Sequence, residues 1–355
     1  MLKNILSNDF PRSRVLAVLL VLLVAALALT PFIFPGAKAL SVAAKVLVFI
    51  VLVASFDLLL GYTGIVSFAQ TMFFGIGAYG IAIAASRMGA GWASIAVGLA
   101  ASLALSFVLA LLVGLFSLRV RAIFFSMITL AVAAAFQTLA SQLSDITGGE
   151  DGLTFKMPDF LSPSWQVSEE PILGVMFDGR LVCYYLLFVV AVVLFLAMLR
   201  IVNSPFGRTL QAIRENEFRA EAIGYRVVYF RTMSSILSAL FATLAGAMLA
   251  IWLRYNGPDT SLSFEIMLDV LLIVVIGGMG TIYGAAIGAG IFVVAQSYLQ
   301  DLLKIGADAA SGVSWLAALL SPDRWLLWLG VLFVLSVYYF PTGIVGRLRA
   351  SRIAG

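Results

Sequence analysis

The chain has 355 residues, 62% of them hydrophobic and only 11% charged, and its mean hydropathy is +1.08. Soluble domains are typically about half apolar and about a quarter charged, so a single soluble core cannot bury this much apolar surface and lipid is the expected solvent. A formal net charge of +4, with a pI near 9.2, raises nucleic acid as a partner, but the basic residues do not interleave with aromatics in a groove-like stretch, and basic cytoplasmic loops explain the sign.

One cysteine, Cys183, and no histidine exclude an internal disulfide, a zinc cluster and Ser–His or Cys–His catalysis. No metal or cofactor is expected in this chain. The phosphate-binding pattern G-x-x-x-x-G-K-[ST] does not occur, so if ATP drives the protein, ATP-Mg must be bound by a separate subunit.

Met1-Leu-Lys-Asn, then Arg12 and Arg14, precede an apolar run from Val15 to Phe34. The charge order resembles a signal peptide, but the run is long, and Pro31 and Pro35 bring no small-x-small cleavage site. It is expected to stay as a first span. About 20 apolar residues cross a hydrocarbon core of about 30 Å as a helix, and backbone amides in lipid must pair internally. Candidate spans follow at 14–34, 40–60, 65–86, 92–118, 121–143, 181–201, 231–253, 265–276, 282–300 and 323–340. The third holds Ser67, Gln70, Thr71 and several glycines, and the eighth is too short to cross unless tilted or joined to a broken partner. The expected fold is all-α: a polytopic transmembrane helical bundle of about ten spans, some broken or short, in a single domain over 1–355.

Lysine and arginine set the orientation. Arg200, Arg208, Arg214, Arg219, Arg226 and Arg231 lie in one loop, Arg119 and Arg121 in another, Arg347, Arg349 and Arg352 at the end, and a further group at the start. Ten spans place all of these on one side, the cytoplasm, with both termini. Segment 144–180 carries Asp145, Glu150, Asp151, Asp159, Glu169, Glu170 and Asp178 against Lys156 and Arg180, and falls on the other side as a periplasmic loop with little regular structure. Lys38 and Lys45 are exceptions on the outside. Gly61–Gly80 and Gly277–Gly290 are both glycine-rich breaks: either a weak internal repeat or the ordinary glycine enrichment of membrane helices.

Four features carry functional information. Loop 202–230 opens with Ser204-Pro205, an N-cap and first-turn pair, and continues through a helix-forming run over 209–223 to Gly224, a stop. It is either a connector on the headgroups or a docking helix; its length, cap and charge lean toward docking. Ser67, Gln70 and Thr71 either line a polar path or bond neighbouring helices. The turn Gly277-Gly-Met-Gly-Thr-Ile-Tyr-Gly284 is a hairpin, a docking surface or a gate. Among ionisable residues in spans, Glu265 and Asp269 share a helix face, and Asp57 has Arg119 or Arg121 as a candidate partner.

The runs Gly61-Tyr-Thr-Gly…Ser67-Phe…Phe74-Gly-Ile-Gly-Ala-Tyr79, Arg119-Val-Arg-Ala-Ile-Phe-Phe-Ser-Met-Ile-Thr-Leu130, Thr147-Gly-Gly-Glu-Asp-Gly-Leu153, Ser204-Pro-Phe-Gly-Arg-Thr-Leu-Gln-Ala-Ile-Arg-Glu-Asn-Glu217 and Val275-Ile-Gly-Gly-Met-Gly-Thr-Ile-Tyr-Gly284 occur in this order. They resemble branched-chain amino-acid ABC-transporter permeases of the LivM type; urea permeases are close relatives. The resemblance implies a multi-pass permease of a bacterial inner membrane, paired with a homologous second permease as a heterodimer. Two ATP-binding subunits and a periplasmic solute-binding protein would complete the importer. Glu221-Ala-Ile-Gly224 is similar to that family's EAA loop, although the longer downstream pattern is not repeated. ATPase coupling is therefore expected of Arg208, Arg214, Glu215, Glu217, Glu221, Ala222 and Gly224, and the translocation path of Ser67, Gln70, Thr71, Asp57 and Asp269. The alternatives are a urea or amide ABC permease, or an ion-coupled secondary transporter acting alone, for which Asp57, Glu265 and Asp269 should be indispensable. An intramembrane enzyme ranks last.

Overall fold

The computed structural model describes residues 14–34, 36–117, 122–163, 165–166, 177–309, 319–340 and 342–350. Arg12, Arg119, Arg121, Glu169, Glu170 and Arg352 lie outside the described residues. In chain order the helices are α1 (Arg14–Ile33), α2 (Ala37–Thr63), α3 (Gln70–Met88), α4 (Trp92–Ser117), α5 (Ala122–Gln142), α6 (Gly179–Val202), α7 (Pro205–Glu215), α8 (Glu217–Ala222), α9 (Val227–Leu253), α10 (Phe264–Gly277), α11 (Ile282–Ala309), α12 (Trp325–Tyr339) and α13 (Gly343–Ala350). Ten stretches among the described residues are long and apolar enough to cross a membrane, in the positions the sequence predicts.

The two weak spans differ from the expectation in an instructive way. Residues 64–69 are not helical, and α3 starts only at Gln70. Gly64 adopts a left-handed φ of 73° and turns its amide back to the Leu59 and Leu60 carbonyls, which ends α2. The freed backbone is then paired by α5: Ser126 Oγ donates to the Val66 carbonyl at 2.9 Å, and Thr129 Oγ1 accepts from the Phe68 amide at 3.0 Å. Such pairing is what permits irregular backbone at membrane depth. The eighth span is α10 preceded by a short helix, Pro258–Ser261, and together they reach spanning length.

Helix α2 is the centre of the bundle. Side chains all around it are buried from Val46 to Leu59; α1, α6, α7, α9, α10 and α11 pack against it, and Gln70 at the start of α3 bonds to its Ser55. An all-round apolar helix has no solvent face and belongs in the middle. The α3–α9 contact is close because Gly77 lies on the Thr243 carbonyl and Gly246 on the Phe74 carbonyl; a Cβ at either would overlap the facing backbone. Helix α1 is fastened differently. Pro31 lacks an N–H, which frees the Leu27 carbonyl, and the Tyr184 hydroxyl of α6 donates to it. Tyr185 does the same for Ala28 at 2.8 Å. The outer faces of α1, α4, α5 and α12 present apolar side chains such as Val21, Phe107, Met127 and Leu326, the surface a bilayer solvates.

The crossings alternate, so the bundle has two ends. One carries residues 64–69, α7, α8, the turn at 278–281 and α13. There Leu16, Ile287 and Val345 pack together, which puts both ends of the described chain on that face. The other carries the 143–178 segment and the turn after α9. It holds a strand pair absent from the all-α expectation: β1 (Leu153–Thr154) runs antiparallel to β2 (Tyr255–Asn256), with Leu153 opposite Asn256. Arg254, at a left-handed φ of 57°, donates to the Leu161 carbonyl at 2.6 Å and fastens this segment further.

Candidate functional site

The arginine-rich segment folds as two helices rather than the single one expected over 209–223. Ser204 caps α7 by accepting from the Gly207 amide, with Pro205 in the first turn, as the sequence predicts. Asn216 then breaks the run. Its backbone is extended (φ −158°), and its side chain accepts from the Arg219 amide at 2.9 Å, starting α8 afresh. Asparagine competes with helix interiors through this bond and is at home at an N-cap. Glu217 forms a two-pronged ion pair with Arg231 of α9, at 2.8 and 3.0 Å, that holds α8 against the bundle. Gly224, at φ 96°, ends the segment. Arg208, Glu215, Glu221 and Ala222 are exposed. So are two large apolar side chains, Phe218 at 86% and Ile223 at 67%.

Arg214, also exposed, reaches from the end of α7 to the end of α2. Its stem lies against Gly64, and its guanidinium donates to the Gly61 carbonyl at the end of α2. One turn earlier on α2, buried Asp57 accepts from the Gly280 amide at 2.8 Å. Gly280 belongs to the α10–α11 turn and has a φ of +79°. A Cβ at Gly61 would overlap both the Asp57 carboxylate and the Gly280 backbone. Four groups from three elements therefore meet with no intervening space: α7, the end of α2 and the α10–α11 turn. The expectation that Asp57 faces Arg119 or Arg121 concerns residues outside those described; the arginine seen beside it is Arg214.

Gln70, Ser67 and Thr71 are buried around the start of α3. Gln70 Nε2 donates to Ser55 Oγ at 2.7 Å, Ser238 Oγ donates to the Ser55 carbonyl at 2.6 Å, and Ser238 lies 3.3 Å from Gln70 Oε1. This network ties α2, α3 and α9 at mid-bundle. Ser67 Oγ accepts from the Ala69 amide at 3.3 Å within the broken segment. Ser234 and Ser238 complete the polar stripe on α9; their four-residue spacing was readable in the sequence but not singled out.

At the opposite end of the bundle, a cavity of about 610 Å³ opens between α2, α9, α10 and α11. Small-molecule sites commonly occupy about 300–1,000 Å³. Its charged lining is Lys38 and Lys45 from α2, Asp259 from the short helix before α10, and Glu265 and Asp269 from α10. Gln296 of α11 bridges two of them, accepting from Lys45 Nζ at 2.9 Å and donating to Asp269 Oδ2 at 3.2 Å. Phe49, Phe74, Leu249 and Trp252 supply apolar wall. Lys38, at the cavity edge, forms a direct ion pair with Asp301 of α11. Sequence reasoning singled out Asp269 and Glu265 and read Lys45 only as an exception to the charge rule. A lysine inside an apolar run is itself the signal that would have found it.

Ten crossings around a buried polar centre, with a cavity at one end and an exposed helical pair at the other, define a multi-pass membrane transport permease. Residues 38–337 match the family described as "Branched-chain amino acid transport system / permease component", and the chain belongs to that family of permease subunits of ABC importers. It is 26% identical over 321 residues to the high-affinity branched-chain amino acid transport system permease protein LivM of Salmonella typhimurium, covering 87% of this chain and 70% of that protein. The Escherichia coli protein of the same name is likewise 26% identical, over 323 residues, at the same coverage. A shorter stretch of 92 residues is 37% identical to the ribose import permease protein RbsC of Bacillus subtilis, covering 24% of this chain and 28% of that one. No solved structure matches the chain.

Proposed function

We propose that this chain is the transport subunit of a bacterial inner-membrane importer for branched-chain or other hydrophobic amino acids, and that it has no enzymatic activity of its own. Two separate ATP-binding subunits, carrying ATP-Mg, dock on α7 and α8. A homologous permease forms the other half of the path, and a periplasmic binding protein delivers solute to the face that carries 144–180. On this reading the α7–α8 face and both termini are cytoplasmic, which the run from Arg200 to Arg231 supports.

The observation that carries the proposal is the tip of α8. Phe218 is 86% exposed, more than any other large apolar side chain among the described residues, and it stands among Glu217, Arg219 and Glu221 on a charged surface. Aromatic anchors ringed by polar residues are what a partner's pocket takes up. Arg214 gives the docked helix a mechanical route: motion of α7 reaches the end of α2 and the α10–α11 turn through one hydrogen bond and one close contact. From that turn α10 leads about 12 Å to Asp269 at the cavity. The path residues of this chain are then Asp269 at the cavity, with Asp57 in the joint and Ser67, Gln70 and Thr71 beside the helix break. The apolar cavity wall suits an aliphatic side chain better than urea.

A buried carboxylate at Asp57 and a half-buried one at Asp269 in the cavity are what an ion-coupled transporter would require, so that reading keeps an observation in its favour. Purification of the chain from native membranes in mild detergent separates the two. A second permease and an ATP-binding protein should accompany it, and Phe218→Glu should lose the ATP-binding protein while eluting as a folded particle. A chain that emerges alone and folded contradicts the proposal.

A further inference from the structure

We infer that the cavity between α2, α9, α10 and α11 binds a zwitterionic aliphatic amino acid: Lys45 takes the α-carboxylate, Asp269 with Glu265 takes the α-ammonium, and the Phe49, Phe74, Leu249 and Trp252 wall takes the side chain. The inference deepens the function proposed above and rests on it for the substrate class.

Position gives the first argument. Lys45 stands about 12 Å along α2 from its first residue and Asp269 about 8 Å along α10, both inside spanning helices. Ionised groups there are costly and persist where they face a cavity and a partner of opposite sign. Here charges of both signs line one cavity, which is the arrangement a zwitterion needs; an anion or a cation alone needs only one.

The second argument is the way the two charges are kept apart. Lys38 and Asp301, also from α2 and α11, close directly on each other. Lys45 and Asp269 are instead joined through the Gln296 amide, oxygen toward the ammonium and nitrogen toward the carboxylate. An ammonium has three donors and a carboxylate about four acceptor positions, so each group retains capacity after its bond to Gln296. The amide spaces the charges and holds both side chains in place, leaving room for a ligand carboxylate at one end and a ligand ammonium at the other.

Third, the space beside this row is apolar and partly aromatic. Lys45 lies 5.5 Å from the Phe49 ring centre, on the wall that Trp252 and Leu249 continue. Charged groups in a row with an aliphatic-sized recess alongside match one chemical class: an α-amino acid with a branched hydrocarbon side chain.

The test is equilibrium binding of radiolabelled L-leucine to the full-length chain in phosphatidylglycerol vesicles. Competitors are 4-methylpentanoate, which lacks the ammonium, and leucinol, which lacks the carboxylate. On the unaltered chain each analogue should bind at least about tenfold more weakly than leucine, the worth of one charge-assisted hydrogen bond. Lys45→Met and Asp269→Asn should each raise the half-saturating leucine concentration by about tenfold to a hundredfold, and Lys45→Arg should recover most of the loss. Analogues that compete as well as leucine, an unaltered chain that binds no leucine, or unchanged binding in both neutral variants would overturn the inference. So would displacement of leucine by phosphatidylethanolamine added to the vesicles, because a lipid headgroup would then be the occupant. Failure here is distinguishable from failure of the proposed function: a chain that brings down ATP-binding subunits but binds no leucine loses the cavity and keeps the function, and the reverse result separates them the other way.

Discussion

At the face that carries α7 and α8, Arg214, Gly61, Gly280 and Asp57 touch without intervening space. At the opposite face Lys45, Gln296 and Asp269 stand around about 610 Å³ of open volume and reach one another through a single amide. The first arrangement suits transmission of force, because close-packed backbone has no slack in which a displacement can be lost. The second suits binding, because charges held apart in an open space can be bridged by something that arrives. The physical difference lies in residue choice. Glycines bring backbones together at one end, while long polar side chains hold helices apart around a cavity at the other.

The comparison is broken most severely at Gly61. Gly61→Ala forces a methyl into the Asp57 carboxylate and the Gly280 amide. It should abolish import and lower stability by about 1–3 kcal/mol, read as thermal unfolding of the purified chain. If Gly61→Ala imports normally, the joint is not tight. Next, Arg214→Ala removes the hydrogen bond that runs from α7 to the Gly61 carbonyl at the end of α2. Import in the reconstituted complex should fall by about tenfold or more, a charge-assisted hydrogen bond being lost, while ATP-binding subunits still co-purify. Arg214→Ala that imports at full rate would place the coupling elsewhere.

Smaller changes sharpen the comparison. Phe218→Ala should weaken subunit association by about tenfold, a moderate anchor effect, with no shift in unfolding temperature, since the side chain is exposed. Gln70→Ala leaves Ser55 and Ser238 short of a partner in a buried three-helix network, at a cost of about 1–3 kcal/mol. It should lower the unfolding temperature and leave the half-saturating leucine concentration unchanged. Asp269→Asn should raise that concentration and leave the unfolding temperature nearly unchanged, and a matched result for the two would erase the distinction between the packed network at Gln70 and the cavity. Glu217→Ala, which breaks a partly exposed pair with Arg231, should move stability by about 1 kcal/mol.

Much of the fold was legible because lipid imposes a simple rule of length and polarity. The ten spans appear where apolar runs of sufficient length stand, and glycines at 64, 277, 278 and 280 mark where helices stop. Details that depend on tertiary pairing were not legible. Residues 64–69 lie open within an apolar region because Ser126 and Thr129 of α5 supply their bonds, and no local pattern announces that. The break at Asn216 was written in the low helix preference of asparagine but was outvoted by the helix formers around it. Strands of two residues lie below any sequence periodicity, and β1 and β2 exist through their mutual register. As for the candidate site, Arg214, Asp57 and Asp269 were visible as charged residues, but what each faces was not. Lys45 and Gln296 are 251 residues apart, and Gln296 and Asp269 are 27 apart. Only the packing of α2 against α10 and α11 makes them neighbours.

The central claim is that a separate ATPase, docked on α7 and α8, drives amino-acid movement through this chain. Leucine uptake into proteoliposomes tests it most directly, with the purified complex, its binding protein and ATP on the α7–α8 side, compared in the unaltered chain and in Phe218→Glu. The account predicts uptake that requires ATP in the first and is lost in the second, with both chains folded. Uptake by the chain alone, without ATP or any partner and sustained by an ion gradient, would contradict it.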